Sequence, residues 1–136
     1  MKKLLGIVVL GLLLSGNAFA KEIILNCENY RVIGYYKSGG ITDEPGDSRL
    51  NEIFKINSKK NRIYRYNNSA KKFLEIRNAK WSDSSISWST DIGASKAYKE
   101  LNRYDLRYTN NRIYINSPDW KKIEDFAKCK VSKKKF

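Results

Sequence analysis

The sequence Ser85-Ile86-Ser87-Trp88-Ser89-Thr90 alternates large side chains with serines. A period of two is typical of a β-strand, because successive side chains of a strand point to opposite faces of the sheet. Ile86, Trp88 and Thr90 share one face and the three serines share the other, so one face can be buried while water wets the other. We therefore interpret this stretch as a core strand of a small antiparallel β domain.

The first twenty residues have the pattern of a secretory signal peptide. Lys2 and Lys3 precede an apolar run of eleven residues, 4–14, and small residues stand at the end of Ala18-Phe19-Ala20. The run is too short to span a bilayer, which takes about 20 apolar residues. We expect an exported protein, periplasmic or secreted, that is cleaved after Ala20.

Cleavage there leaves 116 of the 136 residues, enough for one domain and one core. We assign residues 21–129 to a single β domain and residues 130–136 to a basic tail. Loss of Lys2 and Lys3 lowers the formal charge from +13 to +11, which favours anionic partners such as acidic glycans, lipopolysaccharide or an anionic membrane surface. The alternative is that the charge only reflects amino-acid composition.

The two cysteines of the chain, Cys27 and Cys129, lie near opposite ends of the predicted domain. In an oxidising compartment such a pair is more often bridged than free. We predict a Cys27–Cys129 disulfide, with two reduced buried thiols as the alternative.

The remaining patterns predict about seven or eight strands. Glycine at 39 and 40 and the pair Pro45-Gly46 indicate a loop over 39–50. Asn110-Asn111 indicates a two-residue turn between two strands. Residues 96–103 fit a strand better than the single helical turn that is the alternative. These strands are drawn from nine candidate segments, 21–27, 31–36, 52–57, 62–67, 71–77, 85–90, 96–103, 106–109 and 112–116.

The residues after Ser117 change to a helical pattern. Ser117 is a capping residue, Pro118 stands at the first helical position, and Trp120, Ile123 and Phe126 follow at helical spacing. We predict one short C-terminal helix over 118–128. The expected fold is mainly β, an antiparallel meander that forms a small barrel or sandwich with this helix against it.

Histidine is absent from the sequence, which removes the usual general base and every Ser-His or Cys-His arrangement. We expect no enzyme activity, no metal and no cofactor. A carboxylate hydrolase is the alternative, because a glycosidase needs only two facing carboxylates. The acids considered for it are Asp83, Asp91, Glu100 and Asp105.

Basic residues interleaved with tyrosines are the strongest functional signal. Arginine grips phosphate, sulfate or carboxylate in a two-point contact, and tyrosine stacks on sugars or bases. The alternative is that arginine–tyrosine pairs across strands stabilise the sheet with no ligand present. The candidate ligand-binding residues are Arg62, Tyr64, Arg65, Arg107, Arg112 and Tyr114.

The chain has a cleavable signal peptide, an early and a late cysteine, and the segment Leu101-Asn102-Arg103 before a predicted hairpin. In these features it resembles the small exported all-β proteins found across proteobacteria. That resemblance covers most of the mature chain and implies a fold and a compartment. The chain is also similar in size and β character to the small periplasmic lysozyme inhibitors, but its charge of +11 would repel the basic animal lysozymes.

Taken together, the sequence predicts an exported non-catalytic module that binds an anionic envelope component, with no specific nucleic acid. Its alternatives are the carboxylate hydrolase and an accessory or inhibitor protein that binds an acidic protein partner.

Overall fold

A computed structural model describes residues 22–47 and 51–133. The described chain is mainly β and contains no helix. The predicted signal peptide and the last three residues of the predicted tail lie outside the described residues. Ten strands are present, namely β1 (Ile23–Tyr36), β2 (Ile41–Pro45), β3 (Asn51–Asn57), β4 (Arg62–Asn67), β5 (Lys72–Glu75), β6 (Lys80–Trp81), β7 (Ser85–Asp91), β8 (Ser95–Asn102), β9 (Arg107–Tyr114) and β10 (Trp120–Val131).

All ten strands belong to one antiparallel sheet that curls into a half-barrel. Its order is β5-β4-β3-β1-β10-β9-β8-β7-β6, with β2 paired to the second half of β1. The first and last strands are thus neighbours in the middle of the sheet. The prediction of a mainly antiparallel β fold is confirmed, whereas the sheet has ten strands and not seven or eight.

The Cys27–Cys129 disulfide joins these two central strands, as predicted. Cys27 and Cys129 are direct partners in the register of β1 and β10, and both are buried. The bridge therefore crosses the centre of the sheet.

The predicted C-terminal helix over 118–128 is wrong, because these residues begin β10. Ser117 does accept a hydrogen bond from the backbone N–H of Trp120, at 3.1 Å, so one capping turn forms. The chain then extends and pairs with β1 on one side and β9 on the other. The register between β10 and β1 shifts near Lys121, where β10 contains an extra residue, so that Trp120 pairs with Tyr36. This extra residue makes the spacing from Trp120 to the next apolar residue resemble that of a helix.

Three further local predictions differ from the structure. Asn110-Asn111 is not a turn, since β9 runs unbroken from Arg107 to Tyr114 between β8 and β10. Part of the predicted loop over 39–50 forms β2, an edge strand that is held to β1 by the Arg31–Asp43 ion pair, 2.6 Å between Nη2 and Oδ2. β10 extends through Val131, two residues into the segment that we assigned to the tail.

The hydrophobic core fills one end of the half-barrel. Its fully buried side chains are Leu25, Phe54, Ile56, Ile63, Ile86, Leu101 and Cys27. Ile86 and Trp88 are buried as the alternating pattern of β7 predicts, while Thr90, the third residue of that face, is exposed. The segment 76–79 closes this end, because Ile76 N–H donates to the Ile63 carbonyl at 2.9 Å and the Asn78 amide donates to the Ser89 carbonyl at 2.7 Å.

Three aromatic rings form the boundary of this core. Phe54 packs edge-on against Trp88 at 5.5 Å between ring centroids and tilted against Tyr108 at 5.1 Å. Beyond Tyr108 the inner face of the sheet becomes polar. Within the described ranges, no helix is long and apolar enough to cross a membrane.

Candidate functional site

The inner face changes from apolar to polar along each of the central strands. On β9, Tyr108, Asn110 and Arg112 alternate with residues of the outer face, so all three face the inside of the half-barrel. In the register of the sheet, Asn110 lies opposite Lys99 of β8 on one side and opposite Asp125 of β10 on the other. This places a row of polar side chains across three strands.

Two adjoining cavities lie on this polar inner face. The first, here called the inner cavity, has a volume of about 260 Å³ and reaches down to Cys27, Tyr108 and Ala127. The second, here called the rim cavity, has a volume of about 240 Å³ and is lined by Lys99, Ala97, Thr90 and Ile92. Both are also lined by Glu52, Arg65, Asn110 and Arg112.

Each of the two arginines of these cavities is paired with one carboxylate. Arg65 Nη2 lies 3.1 Å from Glu52 Oε1, and Arg112 Nη2 lies 3.3 Å from Asp125 Oδ2. Arg112 also donates to the Tyr114 hydroxyl at 3.5 Å. A guanidinium has five N–H donors, more than these contacts use, so either arginine could also donate to a ligand.

Lys99 differs from the two arginines, because its ammonium forms no ion pair and no hydrogen bond with any residue that the structure describes. Burial is the main cause of a lowered pKa of Lys99, and the positive charges of Arg65 and Arg112 lower it further, against an opposing effect of Glu52. The rim cavity is therefore lined by three cations, Arg65, Lys99 and Arg112. Glu52 and Asp125 pair with the two arginines, so the charge of Lys99 is the one in excess.

The floor of the inner cavity carries polar atoms that make no hydrogen bond of good geometry within 22–47 and 51–133, although the Tyr108 hydroxyl lies close enough to Glu52 for a weak one. They are the Tyr108 hydroxyl, Glu52 Oε2 and Asn110 Oδ1, all of them buried. Tyr108 is only 4% exposed, and burial, followed by the charge of Glu52, raises its pKa, so its phenol is neutral and can donate a hydrogen bond. Burial also raises the pKa of Asp125, although the nearby Arg112 opposes this shift.

The sequence-predicted ligand residues divide between the two faces of the sheet. Arg65, Arg112 and Tyr114 lie on the inner face, where Arg65 and Arg112 line both cavities. Arg107 lies on the outer face and contacts its neighbour Asp105, 3.7 Å from Nε to Oδ2. The structure thus brings Arg112 together with Tyr114 and separates Arg107 from both.

On the outer face, bases and aromatic rings pair with each other. Arg62 lies 3.7 Å from Glu75, and Lys55 Nζ lies 4.7 Å from the centroid of the Tyr64 ring. Lys128 stands over Tyr30 and Lys122 over Tyr35 in the same way, each at 5.1 Å. Tyr64 and Arg62 therefore take part in the cross-strand pairing that was the alternative to ligand binding.

The four acids considered for a hydrolase line neither the inner nor the rim cavity. Asp91 lies at the end of β7 near Lys96, and Glu100 lies on the outer face of β8. Asp83 and Asp105 lie in the turns before β7 and β9. The carboxylates of the cavities are Glu52 and Asp125, which the sequence analysis did not select.

The sequence patterns did not identify three of the cavity residues, Glu52, Lys99 and Asp125. Each is a single polar residue within a strand, and the three strands are distant from one another in the sequence. A signal was nevertheless present in Asn110-Asn111. Asparagine is depleted in strands, so two of them in the middle of a central strand contradict the local preference. Such conflicts are expected where a function requires the residue.

Comparison with protein-family models, with curated proteins and with solved structures finds no match for this chain.

Proposed function

We propose that this protein is an exported, non-catalytic binding module that holds an anionic group of an envelope component in the rim cavity. The candidate components are an acidic glycan, lipopolysaccharide and an anionic lipid surface. The observation that carries the proposal is Lys99, a partly buried ammonium that has no ion pair or hydrogen bond within the described residues and lines the same cavity as Arg65 and Arg112.

A partly buried cation without a counterion loses hydration and gains little in return, which costs free energy in the folded protein. A bound carboxylate, sulfate or phosphate would provide that counterion. Arginine forks on two sides would add charge-assisted hydrogen bonds, which are about twice as strong as neutral ones. The net charge of +11 after signal cleavage supports an anionic ligand, because it also attracts such ligands from a distance.

The disulfide supports export, since such bridges form and persist in oxidising compartments. The ion pairs support a binding role, because Glu52 and Asp125 are each occupied by an arginine.

A binding titration with matched double variants tests this proposal. The probes are polygalacturonate, as a soluble acidic glycan, and vesicles of phosphatidylglycerol, each at about 50 and 200 mM salt to separate a specific site from diffuse attraction. The test variant is Arg65→Gln with Arg112→Gln. Its control is Arg62→Gln with Arg107→Gln, which makes the same charge change on the same two strands but on the outer face.

We expect the wild-type protein to bind at least one probe at both salt concentrations. The inner-face variant should lose affinity about tenfold or more, since charged hydrogen bonds contribute about 1.5–3 kcal/mol each, while the outer-face variant should lose little. Equal losses in the two variants would mean that only net charge matters, and the rim cavity would not be the site. Circular dichroism of both variants verifies that they are folded.

A carboxylate hydrolase of envelope polysaccharide is the second candidate, and one observation favours it. Glu52 and Asp125 line the same inner cavity, and the raised pKa of Asp125 is a property of the general acid of a glycosidase. Release of reducing ends from an envelope polysaccharide, abolished by Asp125→Asn, would favour the hydrolase over the binding module. Binding without release of reducing ends would favour the module.

A further inference from the structure

The mouth of the rim cavity carries an exposed isoleucine. Ile92 lines this cavity from the β7–β8 turn, yet it is 75% exposed to solvent. The turn is tight, because Gly93 has a φ of +85° and the Ile92 N–H donates to the Ser95 carbonyl at 3.1 Å. The turn thus presents an apolar side chain beside a cavity that holds three cations.

A second exposed isoleucine lies against the same turn. Ile115, just beyond β9, donates its N–H to the Ala94 carbonyl at 3.0 Å and is 50% exposed. Ile113 precedes it on the outer face, opposite Lys96 in the β8–β9 register. Ile92 and Ile115 therefore lie on two hydrogen-bonded connections at one end of the half-barrel, and Ile92 also lines the rim cavity. We call these two exposed side chains the apolar rim.

A single exposed apolar residue is ordinary on a protein surface. Here, however, one exposed isoleucine, Ile92, lines a cavity with excess positive charge, and a second, Ile115, lies on the neighbouring connection. The ligand that matches both features has an anionic group next to hydrocarbon. A lipid headgroup has this arrangement, with its phosphate at the boundary between water and acyl chains, whereas an acidic glycan offers no hydrocarbon to the rim.

We infer that the ligand of the rim cavity is the phosphate of an anionic lipid headgroup, with Ile92 and Ile115 inserted among the acyl chains below it. This inference rests on the proposed function, because it uses the same three cations, Arg65, Lys99 and Arg112. It adds the class of ligand and the orientation of the protein. The β7–β8 turn faces the membrane and the β8–β9 turn, at the opposite end of the sheet, faces away.

The test measures binding of the mature protein to vesicles of phosphatidylglycerol and of phosphatidylcholine. The test variant is Ile92→Ser with Ile115→Ser, two exposed positions where serine should be compatible with the fold. The control is Tyr104→Ser, which removes an exposed aromatic residue from the β8–β9 connection, at the opposite end of the same strands. A parallel NMR titration uses glycerophosphoglycerol, the water-soluble headgroup without acyl chains, and polygalacturonate serves as the glycan.

We expect the wild-type protein to bind phosphatidylglycerol vesicles and not phosphatidylcholine vesicles. The double isoleucine variant should lose about tenfold or more in vesicle affinity, as expected for apolar side chains withdrawn from hydrocarbon, while Tyr104→Ser changes little. The single variant Ile115→Ser should bind glycerophosphoglycerol as weakly as the wild type does, because Ile115 does not line the rim cavity. Lys99→Gln should weaken binding of phosphatidylglycerol vesicles and of glycerophosphoglycerol.

Other outcomes separate the inference from the proposed function. Binding of polygalacturonate without binding of vesicles, or vesicle binding that the isoleucine variant retains in full, would overturn the lipid inference and leave the rim cavity as an anion site. Failure of the wild-type protein to bind vesicles, headgroup and polygalacturonate would overturn both.

Discussion

Lys99 of β8 and Arg65 of β4 line the same cavity, although four strands lie between theirs in the order of the sheet. Only the curl of the half-barrel brings them together. Each side chain comes from a position that alternation places on the inner face, so the curl turns two remote polar residues into neighbours. The positive charge that Lys99, Arg65 and Arg112 together give this cavity therefore arises only in the folded protein.

Replacing Lys99 should weaken ligand binding without lowering the stability of the fold. We expect Lys99→Gln to weaken binding of anionic probes about tenfold, because it removes the cation that has no partner within the described protein. Its free energy of unfolding should equal or exceed that of the wild type, since no ion pair is lost and a partly desolvated charge is removed. Urea unfolding and the probe titration check the two halves of the prediction.

The control for this variant is Lys96→Gln, an equal charge change on the outer face of the same strand. A fall of more than about 1 kcal/mol in the stability of Lys99→Gln would contradict the prediction, since it would mean that the ammonium makes a stabilising contact.

The titration of Asp43 reports the ion pair between β1 and β2. The hydrogen bonds and charge of Arg31 hold the pKa of Asp43 below 3.8. Because the pKa in the folded state is depressed, the stabilisation that this pair provides is present above about pH 4 and is lost as the pH falls through the folded pKa. NMR titration of the Asp43 carboxyl should show the low value in the wild type and a rise towards 3.8 in Arg31→Gln.

Arg77→Gln is the matched control for the Asp43 titration, because it removes an exposed arginine from the turn between β5 and β6. A pKa of Asp43 that stays low in Arg31→Gln would assign the shift to another cause.

Loss of the disulfide should destabilise the protein strongly. Cys27 and Cys129 close a loop with a sequence separation of 102 residues, for which chain-entropy arguments give about 4.7 kcal/mol, and measured losses are about 2–5 kcal/mol. We expect Cys27→Ala with Cys129→Ala to lower the free energy of unfolding by an amount in that range. Chemical denaturation with and without a thiol reductant measures it.

The reductant should lower the stability of the wild type to near that of the double alanine variant and leave the variant unchanged. Equal stability of the oxidised wild type and the variant would mean that the bridge adds nothing to the β1·β10 pairing.

Gly46 lies where no other residue fits. A Cβ at this position would lie 2.6 Å from the backbone carbonyl carbons of both Asn29 and Tyr30, at the bulge where β1 changes its neighbour from β3 to β2. Backbone atoms of a central strand cannot move aside cheaply, so Gly46→Ala should cost about 1–3 kcal/mol of stability. Thermal or urea unfolding measures this loss.

Gly40→Ala is the control, because its Cβ would meet the Tyr36 ring at 3.5 Å and the Ser38 hydroxyl at 3.9 Å, both ordinary van der Waals distances. It should change the stability by less than about 0.5 kcal/mol. A neutral Gly46→Ala would show that β2 shifts away from the bulge freely.

The sequence predicted those parts of the fold in which local pattern and tertiary environment agree. Alternation in residues 85–90 identified a strand and its buried Ile86 and Trp88. The turn over 58–61 and the strands on either side of it were also predicted correctly. In each case a period of two or a turn residue acts within a few positions, which is the range over which sequence patterns are informative.

The errors arose where pairing with distant strands overrides a local preference. Asn110-Asn111 has the chemistry of a turn, but β8 and β10 hold it in the sheet from both sides. Trp120, Ile123 and Phe126 have helical spacing, but the register shift and the pairing with β1 extend them. The same dependence on distant strands explains why Arg65 and Arg112 were identified as ligand residues while Lys99, Glu52 and Asp125 were not.

The adjacency of β1 and β10 also divides the molecule into two arms. One arm contains β1 to β5 and the other β6 to β10, and along the chain they are connected only by the segment 76–79. Across the sheet they are joined by the long β1·β10 pairing and by the disulfide. A protease cut within 76–79 would therefore yield two polypeptides that remain one covalent molecule. The protein is in this sense a natural candidate for fragment complementation, with each polypeptide supplying part of the rim cavity, Arg65 from one and Lys99 from the other.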